Sequence, residues 1–225
     1  MERKAIAILL AAGSGKRMGT ATPKQFLEID GKMIFKHSLD VFETSDIISS
    51  VIVVTSADMV GFVSDETKDY HKVAAVIPGG KERYLSVWEG LKEACKAADK
   101  DDIVMIHDSA RPYIDEPLLE RLYNETLSYD ATIAAVRVKD TIKQADESGF
   151  ISATPDRSTL WAAQTPQSFR LSLIYEAYKK LYDKYGENAT VTDDAQVAEL
   201  MMGTKVKLVQ GSYANIKITV PEDLK

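Results

Sequence analysis

The chain has few of the residues that build cross-links or metal clusters. Its one cysteine, Cys95, excludes an internal disulfide and a zinc site built on cysteines. Two of its three histidines, His37 and His71, lack the spacing of metal ligands. Cys95 continues the apolar face of a predicted helix that contains Trp88 and Leu91, so we expect it to pack in the core.

A cleavable signal and a long apolar run are also missing, so we expect a cytoplasmic protein that does not enter a membrane. Basic residues are in the minority, since 28 Lys and Arg stand against 34 Asp and Glu. The resulting net charge of −6 argues against broad attraction to nucleic acid or to an acidic membrane. An anion site must therefore be a local cluster of basic groups. The 225 residues, 45% of them hydrophobic, are sufficient for one globular domain spanning 1–225.

The clearest basic cluster is the glycine loop at residues 11–19, AAGSGKRMG, which follows a predicted strand at 5–10. Small residues let backbone N–H groups approach a ligand, and Lys16, Arg17 and Lys24 supply positive charge for phosphates. The spacing fits neither the Gly-x-x-x-x-Gly-Lys-Ser/Thr loop nor the dinucleotide-binding Gly-x-Gly-x-x-Gly loop. The loop predicts a nucleotide site; the alternative is an ordinary turn with solvated charges.

Short apolar segments alternate with amphipathic segments as far as residue 136. Strands are predicted at residues 5–10, 48–55, 73–77, 103–107 and 131–136, and helices at 34–42, 59–70, 84–97 and 117–127. Apolar strands joined by helices are typical of a Rossmann-like α/β fold, whose mostly parallel sheet has helices on both faces. Ligands of such sheets bind beyond the carboxyl ends of the strands, where the glycine loop lies.

Residues 137–161 interrupt this alternation, and we predict that they form a projecting β-arm. The segments 141–143 and 150–151 flank the turn sequence Asp-Glu-Ser-Gly, as the two strands of a hairpin would. The excursion is polar and of mixed charge, and an excursion of this size usually covers another surface. We therefore treat it as an arm of the same domain rather than as a second domain.

Downstream of the arm, helices are predicted at 171–182 and from Thr192 to Gly203. The Thr192 hydroxyl would cap the second of these helices, and Gly203 would end it. Short closing strands are predicted at 205–209 and 215–219. Pro221 begins a sequence typical of a helix start, so a final helix is expected to follow.

Further chemical signals lie at the ends of predicted strands. Asp108 follows the strand at 103–107, where a carboxylate can hold Mg²⁺ beside nucleotide phosphates or simply cap a turn. Gly79 and Gly80 follow the strand at 73–77, and their backbone could read the edge of a base. Lys217 lies in an otherwise apolar segment, where a solvated charge at a sheet edge is the simpler interpretation.

Taken together, these motifs resemble the 2-C-methyl-D-erythritol 4-phosphate cytidylyltransferase family along nearly the whole chain. The matching segments are the glycine loop, Pro23-Lys24-Gln25, Gly79-Gly80 with Glu82-Arg83 and Ser86, His107-Asp108-Ser109-Ala110-Arg111-Pro112, Asp140-Thr141, Asp156-Arg157, Leu160-Trp161, Gln164-Thr165-Pro166-Gln167, Thr190-Val191-Thr192-Asp193 and Asn215-Ile216-Lys217.

The resemblance implies a Mg²⁺-dependent reaction of CTP with a polyol phosphate, methylerythritol phosphate, that releases pyrophosphate. Arg and Lys suit this chemistry, because phosphoryl-type transfer depends mainly on positioning and on stabilising charge. The implied catalytic residues are Arg17, Lys24 and Lys217. The implied nucleotide-binding residues are Ala11, Ala12, Gly13, Gly15, Gly79, Gly80 and Ser86. The implied substrate-binding residues are Asp108, which would also lie at the metal, Arg111, Thr141, Arg157, Thr165 and Thr192. Because the counterparts of Thr141 and Arg157 reach into a neighbouring subunit, the resemblance also implies a homodimer.

Two positions depart from the family pattern, and other functions stay open. Ser109 stands where many members have alanine, and Lys81 where an aspartate is common beside the base. Ribitol 5-phosphate cytidylyltransferases share the scaffold but usually have Ala-Gly-Gly where this chain has residues 11–13, Ala-Ala-Gly. A non-catalytic CTP-binding module is a further alternative. A Rossmann dehydrogenase is disfavoured, because the strand at 48–55 ends at Thr55 and is followed by Ser56, without an acidic residue for a ribose.

Overall fold

The computed structural model describes residues 3–13 and 22–224 of the chain. Its strands are β1 (Ala5–Ala11), β2 (Glu28–Ile29), β3 (Lys32–Met33), β4 (Ile48–Thr55), β5 (Val73–Pro78), β6 (Ile103–Asp108), β7 (Ala131–Arg137), β8 (Gln144–Ala145), β9 (Ile151–Ala153), β10 (Trp161–Arg170) and β11 (Lys207–Gln210). Its α-helices are α1 (Ile34–Thr44), α2 (Val60–Thr67), α3 (Arg83–Ala94), α4 (Glu116–Tyr129), α5 (Leu171–Tyr185) and α6 (Asp194–Met202).

Seven of these strands form the central sheet in the order β11-β7-β10-β6-β1-β4-β5. β10 runs antiparallel to both of its neighbours, whereas the other neighbouring strands are parallel. The apolar side chains alternate between the two faces of the sheet. On β1, Ile6 and Ile8 pack with α3, α5 and α6, while Ala7 and Leu9 pack with α1, α2 and α4. The predicted Rossmann-like α/β fold, with a mostly parallel sheet and helices on both faces, is confirmed.

The register of the sheet brings the carboxyl ends of the parallel strands to one edge. Leu10 of β1 is opposite Asp108 of β6, and Ala11 is opposite Thr55 of β4. Thr55 is in turn opposite Pro78 of β5. The glycine loop, the Gly79 turn and the Asp108 turn therefore leave the sheet side by side, as the strand predictions require.

Two strand predictions differ from the structure. β10 has no counterpart among the predicted strands, because its buried segment contains the polar residues Gln164, Thr165 and Gln167 rather than an apolar run. The predicted strand at 215–219 is wrong, since this segment belongs to no sheet. A hydrogen bond from the Ile218 N–H to the Ala110 carbonyl oxygen, 2.8 Å long, holds this segment to the core.

Two predictions at helix ends are also corrected. Asp193, not Thr192, caps α6, because the Asp193 carboxylate accepts from the Gln196 N–H at 2.9 Å. Gly203 ends this helix as predicted, with a φ of 64° that favours glycine. Cys95 is exposed, because α3 ends at Ala94 and the next residue leaves its apolar face. At Pro221 the structure has a short 3₁₀ helix, Pro221–Leu224.

The predicted arm contains an antiparallel pair, β8 and β9, a few residues further along the chain than expected. Its turn is closed by Asp146, whose carboxylate accepts from the N–H groups of Ser148 and Phe150 at 2.9 and 3.0 Å. Residues 139–154 are all exposed in the single chain. Such an arm contributes nothing to the core of its own sheet.

Candidate active site

A cavity of about 400 Å³ lies at the carboxyl edge of the sheet, between the ends of β1, β5 and β6. Of the residues that the sequence predicted for the site, its lining includes Ala12, Gly13, Lys24, Gly80, Ser86, Asp108 and Lys217. These residues come from four separate parts of the chain. The fold therefore brings glycine turns and basic side chains to one concave surface, as an anion site requires.

Asp108 forms the floor of this cavity between two cations. Its Oδ1 atom lies 2.9 Å from Nε of Arg83, and its Oδ2 atom lies 2.6 Å from Nζ of Lys217. Burial alone would raise the pKa of Asp108, but Arg83 and Lys217 lower it well below the ordinary value. Asp108 is therefore ionised, and the alternative interpretation of Lys217 as a merely solvated charge is wrong.

A third cation, Lys24, reaches the cavity from the short 3₁₀ helix Lys24–Phe26. Its Nζ donates to the carbonyl oxygen of Ile218 at 2.6 Å, next to Lys217 in the chain. The segment around Lys217 and Ile218 thus brings two ammonium groups to the same cavity. Two other residues predicted for the site, Gly15 and Arg17, lie outside the described residues.

The turns that the sequence assigned to the nucleotide are held by side chains. Nε2 of Gln25 donates to the carbonyl oxygens of Ala11 and Gly13 at 2.7 and 2.9 Å, which fixes the described start of the glycine loop. The Gly80 N–H donates to Oγ of Ser86 at 3.2 Å. A side chain at Gly79 would press against Ser86, because an added Cβ would lie 2.6 Å from Oγ. Ser86 therefore shapes the glycine turn.

Thr165 and Arg111 lie behind the floor rather than on the lining. Oγ1 of Thr165 accepts from the Asp108 N–H at 3.1 Å and lies 2.9 Å from Nδ1 of His107. Burial lowers the pKa of His107 to about 4, so its ring is neutral at pH 7. Nη1 of Arg111 donates to the Asn215 carbonyl at 2.7 Å, and burial lowers the pKa of the guanidinium. Thr165 therefore supports the backbone of Asp108, whereas Arg111 supports the segment that leads to Lys217.

Thr141, Arg157 and Thr192 are exposed and are absent from the lining of this chain's cavity. Nη1 of Arg157 donates to the Lys139 carbonyl at 2.8 Å, within the base of the arm. The N–H and hydroxyl of Thr192 donate to Oε1 of Gln196. A single chain does not bring these three residues into contact with Lys24 or Asp108.

Arg83 is a cavity residue to which the sequence analysis gave no role. It begins α3, directly after the Gly79-Gly80 turn, and bridges Asp108 to the buried Asp194. Its position after a glycine turn at the end of a strand is the sequence signal that could have indicated a role at the site. The partner carboxylate on α6 could not be identified from spacing.

Two further observations concern metal-ligand clusters and membrane-spanning helices among the described residues. Within residues 3–13 and 22–224, no group of three or more His, Cys, Asp or Glu side chains is arranged to hold a metal ion. Over the same residues, the helices lack the combined length and apolar character that a membrane span needs.

Comparisons with known proteins group this chain with one enzyme family. The family model described as 2-C-methyl-D-erythritol 4-phosphate cytidylyltransferase matches residues 5–225. Proteins of that name from Lachnospira eligens and Alkaliphilus oremlandii are each 43% identical, with 97% and 98% of this chain and 95% and 92% of theirs aligned. The crystal structure of 4-diphosphocytidyl-2C-methyl-D-erythritol synthase from Anaerococcus prevotii superposes with a TM-score of 0.82 at 33% identity, covering 99% of this chain and 95% of that one.

Proposed function

The chain belongs to the 2-C-methyl-D-erythritol 4-phosphate cytidylyltransferase family, and we infer that it transfers CMP from CTP to 2-C-methyl-D-erythritol 4-phosphate. The products are 4-diphosphocytidyl-2-C-methyl-D-erythritol and pyrophosphate, which places the reaction in isoprenoid precursor synthesis. The observation that carries the proposal is that Lys24 and Lys217 line the same cavity as Gly80 and Ser86.

In this reaction a phosphate oxygen of the alcohol substrate attacks the α-phosphorus of CTP. A new P–O bond forms as the bond from the α-phosphorus to the bridging oxygen breaks, and that oxygen leaves with its electron pair on pyrophosphate. Negative charge grows on the leaving group, and preorganised cations stabilise such charge most effectively. We assign this role to Lys24 and Arg17, with Lys217 beside the α-phosphate. The reaction then needs no covalent enzyme intermediate.

We assign nucleotide binding to the glycine loop and to the turn at Gly79 and Gly80. Backbone N–H groups in such turns approach phosphates and base edges without a side chain in the way. Lys81 is exposed and forms a salt bridge to Glu187 at 3.0 Å, so we expect base recognition to depend on the backbone of the turn. Cytosine offers both a donor and acceptors to such a backbone.

We further propose that Mg²⁺ assists the reaction. Asp108 would hold it, because Mg²⁺ is usually bound by one or two carboxylates together with substrate phosphates. The residues fit this requirement, since Asp108 is ionised and lies on the cavity lining. When bound, the ion supplies positive charge to the phosphates during transfer.

We propose a homodimer in which the arm completes the neighbouring site. Phe150 and Ile151 of the arm are 73% and 65% exposed, and exposed apolar side chains that lie together usually mark an interaction surface. Thr141 and Arg157 lie on the same arm, away from the cavity of their own chain. In a two-fold dimer they could bind the alcohol phosphate of the partner's site. The cytoplasmic location expected from the sequence stays a prediction.

One assay tests the proposed function directly. Purified protein is mixed with CTP and either 2-C-methyl-D-erythritol 4-phosphate or ribitol 5-phosphate, and pyrophosphate release is measured with Mg²⁺ and with a chelator. We expect release with methylerythritol phosphate, and loss of release when the metal is removed. Faster release with ribitol phosphate would contradict the substrate assignment. CTP binding without any release would instead favour a non-catalytic module.

A further inference from the structure

Arg83 links the cavity floor to a second carboxylate behind it. Its Nε donates to Asp108 at 2.9 Å, while Nη1 and Nη2 donate to the two oxygens of Asp194 at 2.9 and 2.8 Å. The guanidinium is therefore held by a two-point contact on one side and by a third bond on the other. A planar group held in this way is fixed in both position and direction.

Asp194 is a firm anchor for this bridge. Its side chain is fully buried and also accepts from the Tyr178 hydroxyl at 2.5 Å. The Asp194 N–H donates to Oε1 of Gln167 on β10 at 3.1 Å, so the backbone is held as well. Arg83 thus joins Asp108 to a rigid point where α5, α6 and β10 meet.

Lys217 binds the other oxygen of Asp108 in a different manner. Its Nζ is 2.6 Å from Oδ2, and its side chain lines the cavity and is 39% exposed. An ammonium group on a flexible four-carbon chain can change partners more readily than a bridging guanidinium. Asp108 is therefore held from behind by a fixed cation and from the cavity side by an exchangeable one.

We propose that Arg83 and Asp194 are positioning residues that hold Asp108 in place while Lys217 exchanges this carboxylate for a phosphate oxygen of the reactants. The inference rests on the proposed function, because it describes how the proposed active site holds Lys217 before the phosphates bind. Before phosphates enter, Asp108 keeps Lys217 at the cavity. After they enter, Arg83 still compensates the charge of Asp108, so Lys217 can leave it.

Arg83→Lys is the most direct test of the bridge. Lysine keeps the charge but presents a single ammonium group, which cannot reproduce the fork on Asp194 and the bond to Asp108 together. Arg170 provides a matched control. It also bridges two carboxylates, those of Asp101 and Asp130, its side chain is 30% exposed like that of Arg83, and it lies outside the cavity.

We expect Arg83→Lys to lower kcat about tenfold or more while KM for CTP changes less than about threefold, because a misplaced catalytic group mainly affects the chemical step. Arg170→Lys should keep kcat within about twofold of the wild-type value. Equal kcat losses in the two variants would overturn the proposal. Tyr178→Phe, which removes one bond to the anchor, gives a milder test if Arg83→Lys folds poorly. It should lower kcat with unchanged KM for CTP, and a wild-type kcat would count against the proposal.

A binding measurement tests the exchange of Lys217 without turnover. Asp108→Asn removes the carboxylate that holds Lys217, so inorganic pyrophosphate should bind about fivefold more tightly than to the wild type in magnesium-free calorimetry. Asp101→Asn changes the net charge equally at a distant, exposed position and should have little effect. Unchanged or weaker binding to Asp108→Asn would overturn the proposal. A wild-type protein that binds pyrophosphate but never releases it from CTP would contradict only the proposed function.

Discussion

Replacing Gly79 with alanine should weaken CTP binding through the side chain of Ser86. A Cβ at position 79 would lie 2.6 Å from Oγ of Ser86 and 3.1 Å from Cβ of Ala12. Ordinary contact begins at 3.4 Å, so the Ser86 hydroxyl must retreat by about 0.8 Å. The turn itself cannot easily move instead, because the Gly79 N–H donates to the Thr55 carbonyl at 2.7 Å.

The expected loss of CTP affinity follows from the hydrogen bond that Ser86 makes to the glycine turn. Its Oγ accepts from the Gly80 N–H at 3.2 Å, and the displacement would break this bond. A lost neutral hydrogen bond costs about 1 kcal/mol, or about fivefold in affinity. If the turn also shifts, a misplacement of about 1 Å can cost about 100-fold. We therefore expect Kd for CTP to rise between about fivefold and 100-fold, with an unchanged circular dichroism spectrum.

Calorimetric titration of CTP into Gly79→Ala, Ser86→Ala and the double variant measures this effect and its cause. If the clash acts through the hydroxyl, the double variant should bind CTP more tightly than the two single losses predict together. Gly61→Ala is the control, because a Cβ at this helical position would meet nothing within 4 Å. Strictly additive losses, or wild-type affinity in Gly79→Ala, would refute the reasoning.

Three other predictions concern the catalytic cation, the base and the dimer. Lys24→Ala should lower initial rates by orders of magnitude, since a lost preorganised donor costs about 3 to 4 kcal/mol, and near-normal turnover would contradict the assignment. CTP with Mg²⁺ should raise Tm more than ATP, GTP or UTP at equal concentration, whereas equal shifts would mean that the Gly79 turn reads phosphates alone. Inactive Lys24→Ala and Arg157→Ala proteins, unfolded and refolded together, should regain activity in about a quarter of all sites. A mixture with proven mixed dimers that stays inactive would disprove a shared site.

The sequence predicted the parts of the fold that depend on apolar periodicity. β4 was predicted with the bounds that the structure has, because its apolar side chains face both helical layers. β10 escaped prediction because several of its buried polar side chains are hydrogen-bonded to distant partners. Oε1 of Gln167, for example, accepts from the N–H groups of Asp194 and Ala195 at the start of α6. A polar segment becomes a core strand only when such partners exist, and sequence patterns do not show them.

The candidate site was predictable where strand ends and chemistry coincide. Lys24, Asp108 and the turn at Gly80 could be assigned to one edge, since the carboxyl ends of parallel strands meet there. The bridge from Arg83 to Asp194 could not, because it joins residues 111 positions apart. Capping by Asp193 rather than Thr192 was also beyond prediction, since both residue types cap helices and only the backbone decides between them.

The contact between Lys24 and the Ile218 carbonyl has a consequence for folding of the chain during translation. The two residues are 194 positions apart, and Lys217 reaches Asp108 across 109. Translation at about 5 to 20 residues per second separates the appearance of Lys24 and Ile218 by about 10 to 40 s. β1, β4 and β5 can pair during that interval, but the cavity cannot close around its cations. A nascent chain can therefore pair the first strands of its sheet well before it acquires its chemistry.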